Sequence, residues 1–170
     1  MVNSKKNFIG LLGGSFDPAH KGHLKISIIA LKKLKLSKIF WVVTKKNPFK
    51  KKTFFSLKKR IELSKNLNKR NKFITINCYE KKIKSNKTID LIKYFKKNHK
   101  NSKIFFIMGA DNLINFHKWK NWKNISNLCQ ILVFDRSGYK LKSLKSVSFK
   151  KLNKNKLKFI NFKKINISSS

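Results

Sequence analysis

The segment Gly13-Gly14-Ser15-Phe16-Asp17-Pro18-Ala19-His20-Lys21-Gly22-His23 joins an apolar run to a helical pattern. The run Phe8–Leu12 before it predicts a short buried strand. After it, residues His23–Leu36 carry apolar side chains at three- and four-residue spacing, which predicts a helix. Glycines let a ligand approach the backbone closely, and a helix start offers N–H groups to an anion. The segment therefore predicts an anion-binding loop between a strand and a helix.

Outward from this segment, the chain alternates strand-like and helix-like stretches, which favours parallel βαβ units. Ser56 is a predicted N-cap of one helix, and Tyr139–Lys156, rich in Lys and Ser, is a predicted mobile excursion. The predicted fold is α/β, a Rossmann-like doubly wound parallel sheet of about five to six strands in a single domain over residues 1–170. The predicted strands are Phe8–Leu12, Ile39–Val43, Phe73–Ile76, Ile104–Met108, Gln130–Phe134 and Leu157–Ile160. The predicted helices are His23–Leu36, the stretch from Ser56 to Leu67, Thr88–Lys97, a stretch ending at Phe116, and Trp119–Ser126.

Two histidines, His20 and His23, lie three residues apart across the predicted helix start. Both can donate hydrogen bonds to phosphate oxygens, and Gly22 between them leaves room for a phosphate against the helix end. The segment lacks the Gly-Lys-Ser/Thr ending of a Walker A loop and does not match GxGxxG. A metal-binding or purely structural pair remains an alternative, but the glycines and the strand–helix junction favour phosphate binding.

The charge of the chain is strongly unbalanced, with 43 Lys and Arg against 6 Asp and Glu in 170 residues, a net charge of +37. The basic residues are spread through nearly every segment, whereas a nucleic-acid reader is expected to cluster them on one face. We therefore expect no specific nucleic-acid partner. The few acids are far apart in sequence, which argues against a two-metal site or a paired-carboxylate hydrolase.

Cysteine usage and the apolar runs indicate a cytoplasmic protein without a membrane span. Cys78 and Cys129 are isolated and show no metal-ligand spacing. The apolar run near the N-terminus is too short for a signal peptide, and no run approaches the roughly 20 residues of a membrane span. Homo-oligomerisation is compatible with the sequence.

The segment from Gly13 to His23 resembles the first signature of the HxGH nucleotidyltransferase superfamily. Further segments, in family order along nearly the whole chain, are similar to motifs of bacterial nicotinate-nucleotide adenylyltransferases. These segments are Asn47-Pro48-Phe49-Lys50, Ser85–Asp90, Gly109-Ala110-Asp111-Asn112-Leu113 followed by Phe116 and Trp119, Arg136-Ser137-Gly138, and Ile167-Ser168-Ser169-Ser170. The first motif is specific to the superfamily, and the Asp111–Trp119 segment indicates the nicotinate branch.

The chain departs from the family pattern at three places. Phe49 stands where the family has a histidine, and Asn86-Lys87 interrupts the Ser-Tyr-Thr start of a helix. The sequence ends at Ser170, before the arginine and the C-terminal helix that follow the serines in the family. The resemblance therefore implies a C-terminally truncated member.

The resemblance implies transfer of AMP from ATP to nicotinate mononucleotide, giving deamido-NAD and pyrophosphate. No protein nucleophile is needed, and Mg²⁺ is held mainly by the ATP phosphates, with no protein-built metal site. The implied catalytic residues are His20 and His23. The implied ATP-binding residues are Gly13, Gly14, Ser15, Phe16, Gly22, Asp111, Arg136, Ser168 and Ser169. The implied mononucleotide-binding residues are Lys50, Thr88 and Trp119.

Several alternatives stay open at the level of the sequence. Asp111 is also a candidate N-cap of the following helix, and Trp119 a candidate core residue. The sister enzyme pantetheine-phosphate adenylyltransferase shares the serine-rich ending, although the Asp111–Trp119 segment argues against it. Nicotinamide mononucleotide is another candidate acceptor. A basic nucleotide- or nucleic-acid-binding protein without catalysis would leave the placed glycines and histidines without a purpose. An inactive remnant that lacks the C-terminal signature would bind ATP with little or no turnover.

Overall fold

Six parallel strands form one sheet at the centre of the fold, in the order β3-β2-β1-β4-β5-β6. A computed structural model of the chain describes residues 7–46, 52–135 and 138–161. The strands are β1 (Asn7–Gly14), β2 (Lys38–Val43), β3 (Ile74–Asn77), β4 (Ser102–Gly109), β5 (Gln130–Phe134) and β6 (Leu157–Ile160). This sheet confirms the predicted Rossmann-like architecture.

Helices connect the strands and cover the sheet. They are α1 (Lys21–Leu34), α2 (Leu57–Leu67), α3 (Glu80–Ile83), α4 (Thr88–Asn98), α5 (Ala110–Asn115), α6 (Trp122–Leu128), α7 (Lys140–Leu144) and α8 (Val147–Lys151), with 3₁₀ turns at Phe116–Lys118 and Lys154–Lys156. The four-residue helix α3 was not predicted, because a single turn leaves no periodic pattern to detect.

Both faces of the sheet are buried, as the continuous apolar runs of its strands require. Successive residues of a strand point to opposite faces, so Leu11 and Leu12 of β1 belong to two different apolar clusters. The Leu11 cluster lies under α4, α5 and α6, and the Leu12 cluster lies under α1 and α2. The sheet is thus doubly wound, with one hydrophobic layer on each side.

The helix starts follow from their capping residues. Ser56 caps α2 as predicted, with its Oγ accepting the Lys59 N–H at 3.2 Å. Helix α1 begins at Lys21, two residues before the predicted start, because the His20 side chain occupies the cap position. It ends where Lys35 adopts the left-handed conformation, with φ 50° and ψ 44°.

The prediction of a mobile excursion over Tyr139–Lys156 was wrong. This stretch forms α7 and α8, and Ser143, Ser148 and Leu152 within it are buried. The backbone N–H of His117 donates to Ser148 Oγ at 2.8 Å, which ties α8 to the turn after α5. Small serines allow these short lysine-rich helices to pack closely, a contact that composition alone does not reveal.

The order of connections reverses beside β1. The chain leaves β1 through α1 toward β2 on one side, whereas it leaves β4 toward β5 on the other side. Strands β1 and β4 are neighbours, so the order of the sheet reverses between them. In open α/β sheets, ligands bind at this switch point, beyond the carboxyl ends of the strands. Both Gly14 and Gly109 end their strands there.

Candidate active site

The histidines of the first motif form a compact pair at the start of α1. Their ring centroids lie 3.9 Å apart, with 37° between the ring planes. His20 is the N-cap, and its Nδ1 accepts the Gly22 N–H at 3.2 Å. His23, at the third helical position, returns the interaction, because its Nδ1 accepts the His20 N–H at 3.2 Å. The histidines therefore build a capping box of the kind that serine and glutamate form in other helices.

These hydrogen bonds fix the chemistry that the two rings offer. A ring nitrogen that accepts a backbone N–H carries no proton, so each neutral ring is assigned the tautomer protonated at Nε2. Each Nε2 is then a hydrogen-bond donor, suited to a phosphate oxygen. The first turn of α1 contains no acidic residue, so the positive end of its dipole is not neutralised within the helix.

Gly22 makes room for the His20 ring. A Cβ on Gly22 would lie 2.9 Å from both Cε1 and Nδ1 of His20, closer than real Cβ atoms approach. The glycine was predicted to leave room for a phosphate, and the structure adds this second requirement. The histidine cap itself therefore favours a glycine two residues after His20.

A buried aromatic ring supports His23 from below. Phe16 is 1 % exposed, and its ring packs against the ring of His23 at a centroid distance of 4.9 Å. On its other side Phe16 stacks on Trp41 at 4.9 Å with a 12° interplanar angle. Trp41 Nε1 donates to Ser27 Oγ at 2.8 Å, and Ser27 Oγ donates to the His23 carbonyl at 2.9 Å. The ring of Phe16 is thus a packing group beneath the histidines, and the predicted ATP contact of this residue stays a prediction.

The remaining loop residues lie at the end of β1. Gly13 and Gly14 are its last two residues, and Ser15 is buried directly after them. A Cβ on Gly13 would make only ordinary contacts with the Phe106 ring, at 3.8 Å and beyond. Among residues 7–46, 52–135 and 138–161, no neighbour excludes a Cβ at position 13, and the predicted use of this glycine for close approach of a ligand stays a prediction.

Asp17 holds the segment that precedes α2. Its carboxylate accepts the backbone N–H groups of Phe54 and Phe55, the latter at 2.8 Å. Sequence reasoning quoted Asp17 within the motif but gave it no role. The loop after β1 and the entry to α2 are thereby joined across 37 positions of sequence.

Arg60 is the functional candidate that sequence reasoning missed. It is 1 % exposed, although the apolar residues Leu57 and Ile61 of the same helix are only partly buried. Its guanidinium donates to the Ser15 carbonyl at 2.6 Å and the Thr44 carbonyl at 2.8 Å. A signal was present, because arginine occurs only three times among the 43 basic residues of a lysine-rich chain.

The predicted residues of the second half lie on the other side of the switch point. Asp111 is the second residue of α5, so the alternative that it caps this helix is wrong, since Gly109 holds the cap position. Trp119 is half-buried and meets Phe106 and Phe116 edge-on, at centroid distances of 6.0 and 5.2 Å. Trp119 therefore packs against the core without being fully buried, and its predicted contact with the nicotinate ring stays a prediction.

Thr88 is the first residue of α4 and is half-buried. No side chain caps this helix at Lys87, but Ser85 Oγ accepts the Lys87 N–H at 3.1 Å and donates to Asp90 Oδ2 at 2.7 Å. The interrupted motif at residues 85–90 therefore still organises a helix start. The predicted residues Lys50, Arg136, Ser168 and Ser169 lie outside the described residues.

Metal ligands and membrane segments were searched over residues 7–46, 52–135 and 138–161. This part of the chain contains no group of three or more His, Cys, Asp or Glu side chains placed to hold a metal ion. None of its helices combines the length and apolar character needed to cross a membrane.

Comparison with known proteins identifies the family of the chain. The family model described as cytidylyltransferase-like matches residues 11–170. A Pelagibacter ubique protein named "Probable nicotinate-nucleotide adenylyltransferase" is 60% identical over 169 residues, covering 99% of this chain and 93% of the relative. A Ruegeria protein of the same name is 36% identical over 130 residues, covering 76% of this chain and 68% of that protein.

Solved structures share the fold. The Plasmodium falciparum nicotinic acid mononucleotide adenylyltransferase complexed with APC superposes with a TM-score of 0.74 at 20% identity, covering 94% of this chain and 76% of that one. The same enzyme complexed with NaAD gives 0.72 at 21% identity, covering 94% and 77%. The sequence relatives are the main evidence for the family, and the histidine motif at the switch point is consistent with them. This chain belongs to the nicotinate-nucleotide adenylyltransferase family of cytidylyltransferase-like proteins.

Proposed function

We propose that this protein transfers AMP from ATP to nicotinate mononucleotide, giving deamido-NAD and pyrophosphate. The observation that carries the proposal is the His20–His23 pair, which lies at the N-terminus of α1 and beside the switch point of the sheet, with both Nδ1 atoms accepting backbone N–H groups. The 60% identity to the Pelagibacter relative over nearly the whole chain supports the same reaction.

The reaction needs positioning and charge stabilisation. The phosphate of the mononucleotide attacks the α-phosphorus of ATP in line, the bond to the bridging oxygen breaks, and pyrophosphate leaves with the negative charge. His20 and His23 donate to the phosphate oxygens where that charge develops, and the N–H groups at the start of α1 add a fixed positive potential. Because the cap bonds hold both rings in place before the nucleotide arrives, little reorganisation is needed at the moment of transfer.

The other ATP contacts follow from the loop at the end of β1. We assign the backbone of Gly13, Gly14 and Ser15 to the phosphates and Asp111 to a ribose hydroxyl. Arg136, Ser168 and Ser169 are proposed to bind ATP on the basis of the motif resemblance alone.

The acceptor is assigned to the opposite side of the switch point. Trp119 is proposed to stack on the nicotinate ring. Its edge contacts with Phe106 and Phe116 restrict the orientation of the indole ring. Thr88 and the start of α4 are proposed to receive the nicotinate carboxylate. Lys50 is proposed to contact a phosphate.

Mg²⁺ fits this arrangement as a companion of ATP. Mg²⁺ retains several waters and binds through one or two carboxylates with substrate phosphates, so a chain with six acids can accommodate it. The alternative role proposed for Asp111, instead of the ribose contact, is to hold a water of the Mg²⁺ shell, and the ion would neutralise phosphate charge during transfer. We also propose that the reaction takes place in the cytoplasm. Cys78 and Cys129 do not form a disulfide with each other, as is usual for thiols in that reducing compartment.

The double variant His20→Ala/His23→Ala tests the proposal. Removing one such donor costs about 10²–10³ in rate, so deamido-NAD formation is expected to fall by at least about 10³. His99→Ala is the matched control, because His99 follows α4 near the opposite, amino-terminal edge of the sheet. Retained turnover in the double variant would contradict the proposal. If charge alone were the function, the double variant would leave RNA and DNA binding almost unchanged and there would be no turnover to lose.

A further inference from the structure

We propose that Arg60 is a positioning residue for the reaction, which holds the loop after β1 and thereby sets the placement of His20 and His23. The inference rests on the proposed function, because the loop is assigned there to ATP. It concerns a residue that touches neither ATP nor the acceptor in that assignment. Four hydrogen bonds and one chain of ring contacts carry it.

The guanidinium of Arg60 joins three separate segments. Its Nη1 donates to the carbonyls of Ser15, at 2.6 Å, and Thr44, at 2.8 Å. Its Nη2 donates to the Lys45 carbonyl at 2.9 Å, and its Nε donates to the Phe55 carbonyl at 3.1 Å. The end of β1, the end of β2 and the entry to α2 therefore meet on one side chain. Arginine has five N–H donors in a rigid fork, and four hydrogen bonds use this fork almost completely.

The charge of Arg60 is satisfied by backbone carbonyls. Among the described residues, the exposed side chains of Lys59 and Glu62 form a salt bridge, whereas the guanidinium of Arg60 has no carboxylate within 4.0 Å. A buried charge destabilises the folded state unless its hydrogen bonds are complete. Because any displacement of the carbonyls would break these hydrogen bonds, Arg60 holds the carbonyls in one geometry. Loss of one donor would leave a carbonyl unsatisfied inside the protein.

A chain of contacts leads from Arg60 to the histidines. The Ser15 carbonyl that Arg60 holds belongs to the residue before Phe16, which has a positive φ of 46° and is fully buried. The Phe16 ring packs on His23 at 4.9 Å, and the His23 ring lies 3.9 Å from that of His20. Fixing the Ser15–Phe16 peptide therefore fixes the support of the histidine pair.

The positive charge has a second consequence for the loop. A charged donor on the Ser15 carbonyl polarises that peptide, and polarised peptides donate more strongly through their N–H groups. The buried charge also raises the electrostatic potential beneath a loop that is assigned to phosphates. A lysine in place of Arg60 would keep this potential but could not reproduce the fork.

The test compares Arg60→Lys with Arg70→Lys. Arg70 is exposed just after α2, so its replacement makes the same chemical change outside the site. The ring nitrogens of the four histidines are followed by proton–nitrogen NMR without any substrate. Arg60→Lys is expected to shift the His20 and His23 signals and to leave those of His99 and His117 in place. Arg70→Lys is expected to shift none.

Kinetics give the second readout. A displacement of about 1 Å in the loop can cost 10²-fold, so kcat of Arg60→Lys is expected to fall by about 100-fold, with a much smaller change in the KM for ATP. Unchanged His20 and His23 signals with unchanged kcat would overturn the inference. Equal shifts of all four histidines would also overturn it, because they would indicate a general structural role. If the wild-type chain makes no deamido-NAD, the proposed function fails, while the substrate-free spectra still decide the role of Arg60.

A measurement on the unmodified chain covers the case in which Arg60→Lys does not fold. The Nε–H signal of Arg60 is compared with that of Arg70 before and after addition of a non-hydrolysable ATP analogue. A shift at Arg60 with none at Arg70 is expected, since the loop that Arg60 holds is assigned to the nucleotide. An Arg60 signal that ignores saturating analogue would overturn the inference.

Discussion

Gly22→Ala is expected to lower kcat/KM by about ten- to one-hundredfold while changing the free energy of unfolding very little. The reason is that Gly22 provides the space in which the His20 ring lies. In the structure an added Cβ would stand 2.9 Å from both Cε1 and Nδ1 of that ring. Ordinary contacts between such atoms begin near 3.5 Å, so the ring must move by about 0.5 Å or more.

The two effects on stability nearly cancel. Movement of the ring weakens the cap bond from the Gly22 N–H to His20 Nδ1, and loss of a helix cap typically costs about 1 kcal/mol. Alanine favours the helical backbone over glycine by up to about 1 kcal/mol, which offsets this loss. Activity has no such compensation, because a displaced ring would not donate at the correct distance to the phosphate that the proposed mechanism assigns to it.

The assay measures kcat and KM for ATP together with thermal unfolding of each variant. Gly10→Ala is the matched control, because a Cβ there would press on the side chains of Ile39, Ile107 and Leu36 at 3.0–3.1 Å within the core. The control is expected to lower the melting temperature and to keep its kcat. Full activity in Gly22→Ala would refute the claim that the His20 ring must occupy this place.

Three further outcomes follow from the structure. Trp41→Phe removes the buried hydrogen bond to Ser27 and part of the ring contact with Phe16. We expect the free energy of unfolding to fall by about 2 kcal/mol and the melting temperature to fall by roughly 4–8 °C. An unchanged melting temperature would contradict a stabilising role of these contacts. Burial raises the pKa of Cys129 to about 12, so at pH 8 only about one thiol in ten thousand is ionised, and iodoacetamide should label Cys78 in the native protein and Cys129 only after unfolding. Because that pKa is raised in the folded state, the contribution of this thiol to stability is present at neutral pH and is lost as the pH rises toward 12. The net charge of +37 predicts that the KM for ATP rises with NaCl concentration, and a KM independent of salt would show that the charge does not assist binding.

The sheet was predictable because each strand is a short apolar run bounded by polar residues. Strand β5 has the predicted bounds, Gln130–Phe134, and the parallel topology followed from the helical patterns between strands. Helix bounds were less accurate where caps are unusual. Helix α1 was expected to start at His23, since a histidine N-cap is outside the usual set of capping residues.

The site was predictable at the level of the motif, and its internal contacts were not. The sequence places His20 and His23 at a helix start, but it does not reveal that His20 Nδ1 accepts the Gly22 N–H and that His23 Nδ1 accepts the His20 N–H. Arg60 was missed because hydrophobic periodicity assigns a charged residue on a helix to the solvent side. Its guanidinium donates to three carbonyls 15 to 45 positions away, which no local pattern encodes.

The most direct test of the account is the identity of the acceptor. The purified chain is incubated with ATP, Mg²⁺ and, separately, nicotinate mononucleotide, nicotinamide mononucleotide and phosphopantetheine, with pyrophosphate release and product mass as readouts. The account predicts deamido-NAD formed in preference to the other two products. Product with phosphopantetheine alone, or no product with nicotinate mononucleotide, would contradict it.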